Sequence, residues 1–226
     1  MNGADDAMAE EPVPVGSLEL RPLRPDDMLG AAGAAARALR DDPATFACYG
    51  DDPLVRLAYT HTLFVDLFGR ATVPQHGALV GRCVLGVAGV LPPGACVGAM
   101  MAPFAETTLS MPEPPLGDPS RAMVLWATWA LHDPEEEHWH IGPVGVEPGY
   151  QGTGIGRAVM SSLCDELDAD GRVGWLETNR ERNVRFYSGL GFEVVDEAES
   201  LGVPNWFMRR QPQPLSRRRR PRSPDR

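Results

Sequence analysis

A chain of 226 residues, 43% apolar and with five tryptophans, can bury one sizeable core, whereas two full domains would be cramped. No apolar run reaches membrane-spanning length and the acidic N-terminus is no signal peptide, so no membrane partner is expected. The net charge of −10 is uneven: residues 209–226 carry eight arginines and one aspartate (+7), leaving −17 on residues 1–208, from 13 arginines against 30 acids. Such a body repels nucleic acid and favours cationic partners, so only the tail is expected to touch RNA, DNA or acidic lipid. The chain contains no lysine, which removes Schiff-base chemistry and acyl-lysine intermediates. Cys48, Cys83, Cys96 and Cys164 stand far apart without CxxC spacing. They suggest neither a disulfide scaffold nor a cysteine-rich zinc site, and four free thiols fit a cytoplasmic protein.

Residues 1–16 are small, acidic and Pro-containing and are expected as a flexible N-terminus; 17–209 reads as a single domain and 210–226 as a disordered Arg/Pro-rich tail. Leu18 and Leu20 alternate with polar neighbours and predict a strand over 17–22. Pro25-Asp26-Asp27 opens an alanine-rich helix over 28–39, which Asp41-Asp42-Pro43 ends. A second helix is expected over 52–68, with Leu54, Leu57, Tyr59, Leu63, Phe64, Leu67 and Phe68 as its apolar face. Apolar runs at 76–80 and 83–90, joined by Gly81-Arg82, have the pattern of a tight hairpin. From 91 to 119 the chain is dense in Pro, Gly and Met, with helical character near 99–110. A helix follows at 121–131, a strand at 139–146, a helix at 155–167, a strand at 172–178, a short helix at 183–190, and strands at 192–195 and 206–209. The sum is an α/β sandwich on a mixed sheet of six or seven strands. Helices between the strands at 144–178 and at 178–195 imply crossovers.

The stretch Val144-Gly145-Val146-Glu147-Pro148-Gly149-Tyr150-Gln151-Gly152-Thr153-Gly154-Ile155-Gly156-Arg157 is a strand running into a glycine-rich turn that opens a helix. Such a turn offers unpaired backbone N–H groups to a phosphorylated ligand. A dinucleotide fingerprint would sit in the first βαβ unit with an acid about twenty residues on, but this motif lies two-thirds along the chain in a Q-x-x-G-x-G frame. A P-loop is excluded because its lysine and Ser/Thr pair are missing. Pro143 cannot donate a ladder hydrogen bond, so the strand is expected to bulge or splay there.

Gln151-Gly152-Thr153-Gly154-Ile155-Gly156 resembles the acetyl-CoA pyrophosphate loop of the GNAT family of N-acetyltransferases. Downstream, Leu176-Glu177-Thr178, Asn183, Phe186-Tyr187 and Gly189-Leu190-Gly191-Phe192 resemble the rest of that family's cofactor and catalytic half. The wording is most similar to the puromycin N-acetyltransferase-like branch, as are Gly86-Val87-Ala88 and Leu91-Pro92-Pro93-Gly94. The resemblance is specific over 139–195, schematic over 17–90 and poor over 95–120. It implies a mostly antiparallel sheet with helices on both faces. It also implies acetyl-CoA as acyl donor, with a small-molecule or protein amine as acceptor and a monomer or homodimer as the working form. In such a site Val144, Gly145 and Val146 would meet the pantetheine arm and Gln151 to Arg157 the diphosphate, with Arg157 adding charge or facing solvent. Asn183 would hydrogen-bond the cofactor arm or cap its helix. Tyr187, four residues on and so on the same face, would donate a proton to the leaving thiolate or simply pack.

An ammonium acceptor, with a reference pKa of about 10.4, must lose a proton before it attacks. His140, His138, Glu177, Glu106 and Glu113 are candidates for that base. His140 and Glu177 are the leading two, and His140 equally reads as a polar residue lining the sheet. His138 and His140 share a strand face, but two histidines without a third ligand are a poor metal site, so no metal is expected. Residues 92–120 and the two early helices are expected to wall the acceptor site. The competing reading is a regulatory or assembly module that binds acetyl-CoA with little or no catalysis.

Overall fold

The computed structural model describes residues 17–214, so the expected N-terminal segment and the tail beyond 214 lie outside the described residues. Seven strands form one sheet: β1 (Glu19–Pro22), β2 (His76–Val80), β3 (Cys83–Leu91), β4 (Trp139–Val146), β5 (Gly174–Thr178), β6 (Glu193–Ser200) and β7 (Val203–Arg210). Their order is β1-β2-β3-β4-β5-β7-β6, and every neighbouring pair is antiparallel except β4 and β5. The helices are α1 (Met28–Leu39), α2 (Pro43–Tyr49), α3 (Pro53–Gly69), α4 (Val97–Met101), α5 (Ala105–Ser110), α6 (Arg121–His132), α7 (Ile155–Ala169) and α8 (Glu181–Ser188). The sheet is therefore mixed and mostly antiparallel, as expected.

α1 lies close to the sheet because both surfaces are made of small residues. Five of its alanines are fully buried, and a Cβ on Gly145 of β4 would fall 2.9 Å from Ala38 Cβ. On the other face, α7 supplies Ile155, Val159, Met160, Leu163 and Leu167 to the largest core cluster, together with Phe192 and Met208.

Several expectations needed correction. The 43–49 segment is a helix of its own, capped by the Asp42 carboxylate on Ala44 N–H (3.2 Å), because Pro43 suits a first helical position as well as it ends the previous helix. In α3 the buried positions are Arg56, Thr60, Phe64 and Phe68, while Leu54 and Tyr59 are exposed. Arg56 is buried because its guanidinium stacks 3.6 Å over Phe46 and donates to the Arg40 and Gly50 carbonyls and the Asp41 carboxylate. The strands expected at 192–195 and 206–209 are halves of a longer hairpin, turned at Leu201-Gly202. Arg210, assigned above to the tail, is the last residue of β7 and is buried.

The bulge expected near Pro143 is present. Ala88 pairs with Val144 and Val90 with Ile141, so Gly142 and Pro143 together face Gly89, whose Cβ would lie 2.5 Å from the Gly142 oxygen. β4 pairs with β5 only at Trp139–Gly174 and His140–Trp175, after which the two strands part.

Candidate active site

The gap between the parting strands is continued by the glycine turn into a groove of about 530 Å³. Val144, Gly145 and Val146 form one side and Gln151, Gly152, Gly154, Gly156 and Arg157 one end. Gly152 and Gly154 have φ of 80° and 92°, where an L side chain is strained, and Gly154 is the N-cap of α7. The first N–H groups of α7 have no acceptor inside the helix, so the turn presents donors and a positive helix end together. Gly156 serves packing: a Cβ there would lie 3.3 Å from Val146 Cγ2. Two residues singled out from sequence do not face the groove with their side chains. Thr153 Oγ1 donates to the Tyr150 carbonyl (2.7 Å), and Ile155 is buried in the core. The Gln151 amide braces the turn from inside by donating to the Val146 carbonyl (3.2 Å).

Arg180 and Arg182 also line the groove and were not singled out from sequence, although the cluster Arg180-Glu181-Arg182 before Asn183 was a signal. With Arg157 they give the groove three guanidinium groups, and with the α7 N-terminus they fit a diphosphate-bearing ligand. Arg180 also pairs with Asp42 (3.0 Å), tying the α1–α2 corner to α8 across the groove.

A second cavity, of about 210 Å³, opens from the inner end of the groove. Leu39, Asp42, Val144, Asn183 and Tyr187 line both spaces. Tyr187 is buried and packs edge-on against Phe186 and Phe192, with ring centroids 5.1 and 5.9 Å away. Burial pushes its phenol above the ordinary tyrosine range, and the Asp42 and Glu177 carboxylates add to this. Asn183 donates to Thr178 Oγ1 (3.0 Å). It is not the helix cap, because α8 begins at Glu181 with Arg180 at the N-cap. Glu177, near the end of β5, faces His140 Nε2 at 3.4 Å, and both line the second cavity. The far wall is apolar and aromatic, built from Tyr49, Phe64, Trp126 and Trp129 on α2, α3 and α6. From 92–120 only Val97 reaches it, so α2 and α6 take the place expected for that segment. Glu106 is exposed on α5 and Glu113 pairs with Arg121 (2.8 Å); neither lines either of these two cavities.

Beside this wall the fold brings two further groups to the histidine pair. Ligand-type atoms of Cys96, Asp133, His138 and His140 all lie within 4.8 Å of one another. Burial opposes ionisation of the Cys96 thiol, but both imidazoles and the Ala99 N–H outweigh it and draw the thiol below its usual range. Burial likewise opposes charge on His140, yet Glu177 and Cys96 carry it up to about 10.

Residues 118–192 match the acetyltransferase (GNAT) family. That segment of the chain is similar to the GNAT family, and it sits on a fold of the GNAT type. Over 64 residues it is 31% identical to glucosamine 6-phosphate N-acetyltransferase of Trypanosoma brucei brucei, covering 28% of this chain and 44% of that protein. Over 63 residues it is 35% identical to the L-methionine sulfoximine/L-methionine sulfone acetyltransferase of Salmonella typhimurium, covering 26% and 37%. The matches thus span less than half the length of these curated relatives. Among solved structures, a histone acetyltransferase HPA2-related acetyltransferase from Corynebacterium glutamicum superposes with a TM-score of 0.62 at 17% identity, over 88% of this chain and 99% of that one. The PaiA N-acetyltransferase of Thermoplasma acidophilum, solved in complex with coenzyme A, superposes with 0.52 at 14% identity, over 86% and 99%. At these identities the likeness is one of fold, and no branch of the family is singled out. Among the described residues no helix is long and apolar enough to cross a membrane.

Proposed function

We propose that this chain is an acetyl-CoA-dependent N-acetyltransferase whose acceptor is a small primary amine carried on an apolar or aromatic body. The observation that carries the reading is the junction of the two cavities at Tyr187: an arginine-lined groove on one side, an aromatic pocket with the Glu177 carboxylate on the other, and Asp42 at the border. Acetyl-CoA supplies an activated acetyl thioester at that junction. The turn N–H groups with Arg157, Arg180 and Arg182 hold the diphosphate, and Val144 and Val146 pair with the pantetheine arm as an added strand would. Glu177 attracts the acceptor's ammonium, and the ring-lined wall takes its apolar body. Glu177 accepts the proton the ammonium must lose, with His140 behind it at 3.4 Å as a positioning residue. As the C–N bond forms and the C–S bond breaks, Tyr187 gives its hydroxyl proton to the departing sulfur, and the second proton that the acylated nitrogen sheds restores the phenol. A backbone N–H near Val144 faces the carbonyl oxygen where charge develops.

The test is thiol release from acetyl-CoA across arylalkylamines, alkylamines, polyamines, peptide N-termini and puromycin, beside calorimetric binding of acetyl-CoA. Puromycin is included because the motif wording resembles that branch. Saturable turnover best with arylalkylamines is expected. Turnover on peptides alone would overturn the small-molecule acceptor. Tight binding with no release from any amine would favour the acetyl-CoA-binding module.

A further inference from the structure

We propose that Cys96, Asp133, His138 and His140 form a tetrahedral site for one Zn²⁺ ion that clamps the root of β4 to α4 and α6. Sequence alone hides it, since Cys96 and Asp133 stand 37 residues apart and neither belongs to a spaced motif. The fold assembles it from the N-cap of α4, the C-cap of α6, the residue before β4 and the second residue of that strand.

Both histidines are arranged as ligands rather than as hydrogen-bonding residues. His138 Nδ1 is taken by the Glu136 carbonyl (2.8 Å) and His140 Nε2 faces Glu177 at 3.4 Å. The nitrogens left over, His138 Nε2 and His140 Nδ1, are buried and make no well-formed hydrogen bond; they face the other members of the cluster, with the Asp133 carboxylate 3.3 Å from His138 Nε2. Such poorly aligned contacts compensate burial weakly, whereas a metal between the same groups takes both lone pairs. A ring whose second nitrogen donates to a carbonyl or carboxylate is also how metal-bound histidines are held in tautomer and orientation. Cys96 Sγ accepts the Ala99 N–H at 3.1 Å, a further brace on a ligand atom.

The spacing suits zinc. Bonds of about 2.0–2.3 Å place tetrahedral ligand atoms roughly 3.3–3.6 Å apart. Two of the six ligand pairs already stand at that spacing, with Asp133 3.5 and 3.6 Å from Cys96 Sγ and 3.3 Å from His138 Nε2, while the whole set lies within 4.8 Å and would draw together by roughly 1 Å on binding. Thiolate with imidazole selects zinc over magnesium or calcium, and one thiolate with one carboxylate neutralises the ion in a buried place. Gly98 leaves the room this needs, because a Cβ there would fall 3.0 Å from Asp133 Cγ. Four protein ligands leave no open position, so the ion is structural. Its consequence for the cavity is geometric: it fixes the His140 ring, and thereby the side of Glu177 that the ring faces. The site does not depend on the acyl-transfer reading, since an inactive binding module would hold the same ion.

The test uses the full chain without an affinity tag, purified without chelator. Elemental analysis is expected to find one zinc per chain. After chelator treatment, Co²⁺ should restore one equivalent of a thiolate charge-transfer band with the intense d–d bands of tetrahedral cobalt. Cys96→Ser should abolish the thiolate band and Cys83→Ser should keep it. Glu177→Gln should keep the stoichiometry but weaken zinc about 10–100-fold in competition with a chromophoric chelator. Should variants or stripped protein fail to fold, zinc in the untreated wild type decides alone. Substoichiometric zinc in folded protein, or a weak octahedral cobalt spectrum without a thiolate band, would overturn the proposal and leave a hydrogen-bonded polar cluster.

Discussion

At the scale of single residues, Tyr187 shows how burial sets a role. A phenol donates a proton only while it holds one, and burial beside Asp42 and Glu177 raises its pKa above the ordinary tyrosine value. A general acid loses activity as pH rises through its own pKa, so a raised value moves that loss beyond the usual phenol range. Tyr187→Phe is expected to lower kcat about 100-fold with little change in KM for acetyl-CoA, and the wild-type profile should show no fall from Tyr187 up to about pH 10. Stopped-flow thiol release across pH measures both, and a phenylalanine variant with full kcat would remove Tyr187 from the chemistry. Asn183 and Tyr187 were legible in sequence because a four-residue step on a helix is local geometry. Asp42 was not: it reads as a helix breaker, yet its two oxygens cap α2 and hold Arg180 at the cavity junction. Nothing local to Asp42 announces a partner 138 positions away.

At the scale of elements, the glycine turn was the most legible part of the chain, and its glycines do different jobs. Gly152 and Gly154 supply positive φ, while Gly156 and Gly145 admit a close neighbour. Gly154→Ala forces a side chain into the left-handed region at about 1–2 kcal/mol. The loop relieves this by turning its N–H groups away from the groove. The expected result is a rise of about tenfold or more in KM for acetyl-CoA with the fold retained, read by initial rates and circular dichroism. Unchanged KM would mean that the turn does not hold the diphosphate. The amphipathic pattern of α3 misled by comparison. A periodicity count ranks Leu54 and Tyr59 above Arg56 and Thr60, but Arg40, Asp41 and Gly50 offer two carbonyls and a carboxylate to Arg56, and Thr60 donates to the Arg56 carbonyl one turn back in its own helix. Where polar partners come from another element, hydrophobic period is a poor guide to the buried face.

At the scale of the molecule, the described sheet runs one residue past the boundary drawn from charge, into a buried polar pair. Charge runs placed the boundary before Arg210, since it begins a stretch of Arg, Pro and Gln. In the fold, Arg210 donates two parallel hydrogen bonds to Asp168 (2.7 and 2.8 Å) and a third to the Leu190 carbonyl (2.9 Å), joining β7 to the last turn of α7 and the loop after α8. Asp168 also accepts the Gln213 N–H (2.7 Å), so 211–213 lies back over the pair. The two side chains are 3% and 11% exposed, and a buried pair broken on one side leaves the other charge stranded at a cost of about 3–5 kcal/mol. Arg210→Met should therefore lower the urea midpoint by an amount corresponding to about 3 kcal/mol with an unchanged slope. The double variant Arg210→Met with Asp168→Leu should recover most of that loss, since no charge is then left buried. A chain ending at 214 should melt with the full chain. If Arg210→Met were neutral in urea, the pair would be a surface contact and the domain would close at 209, where the charge pattern placed it.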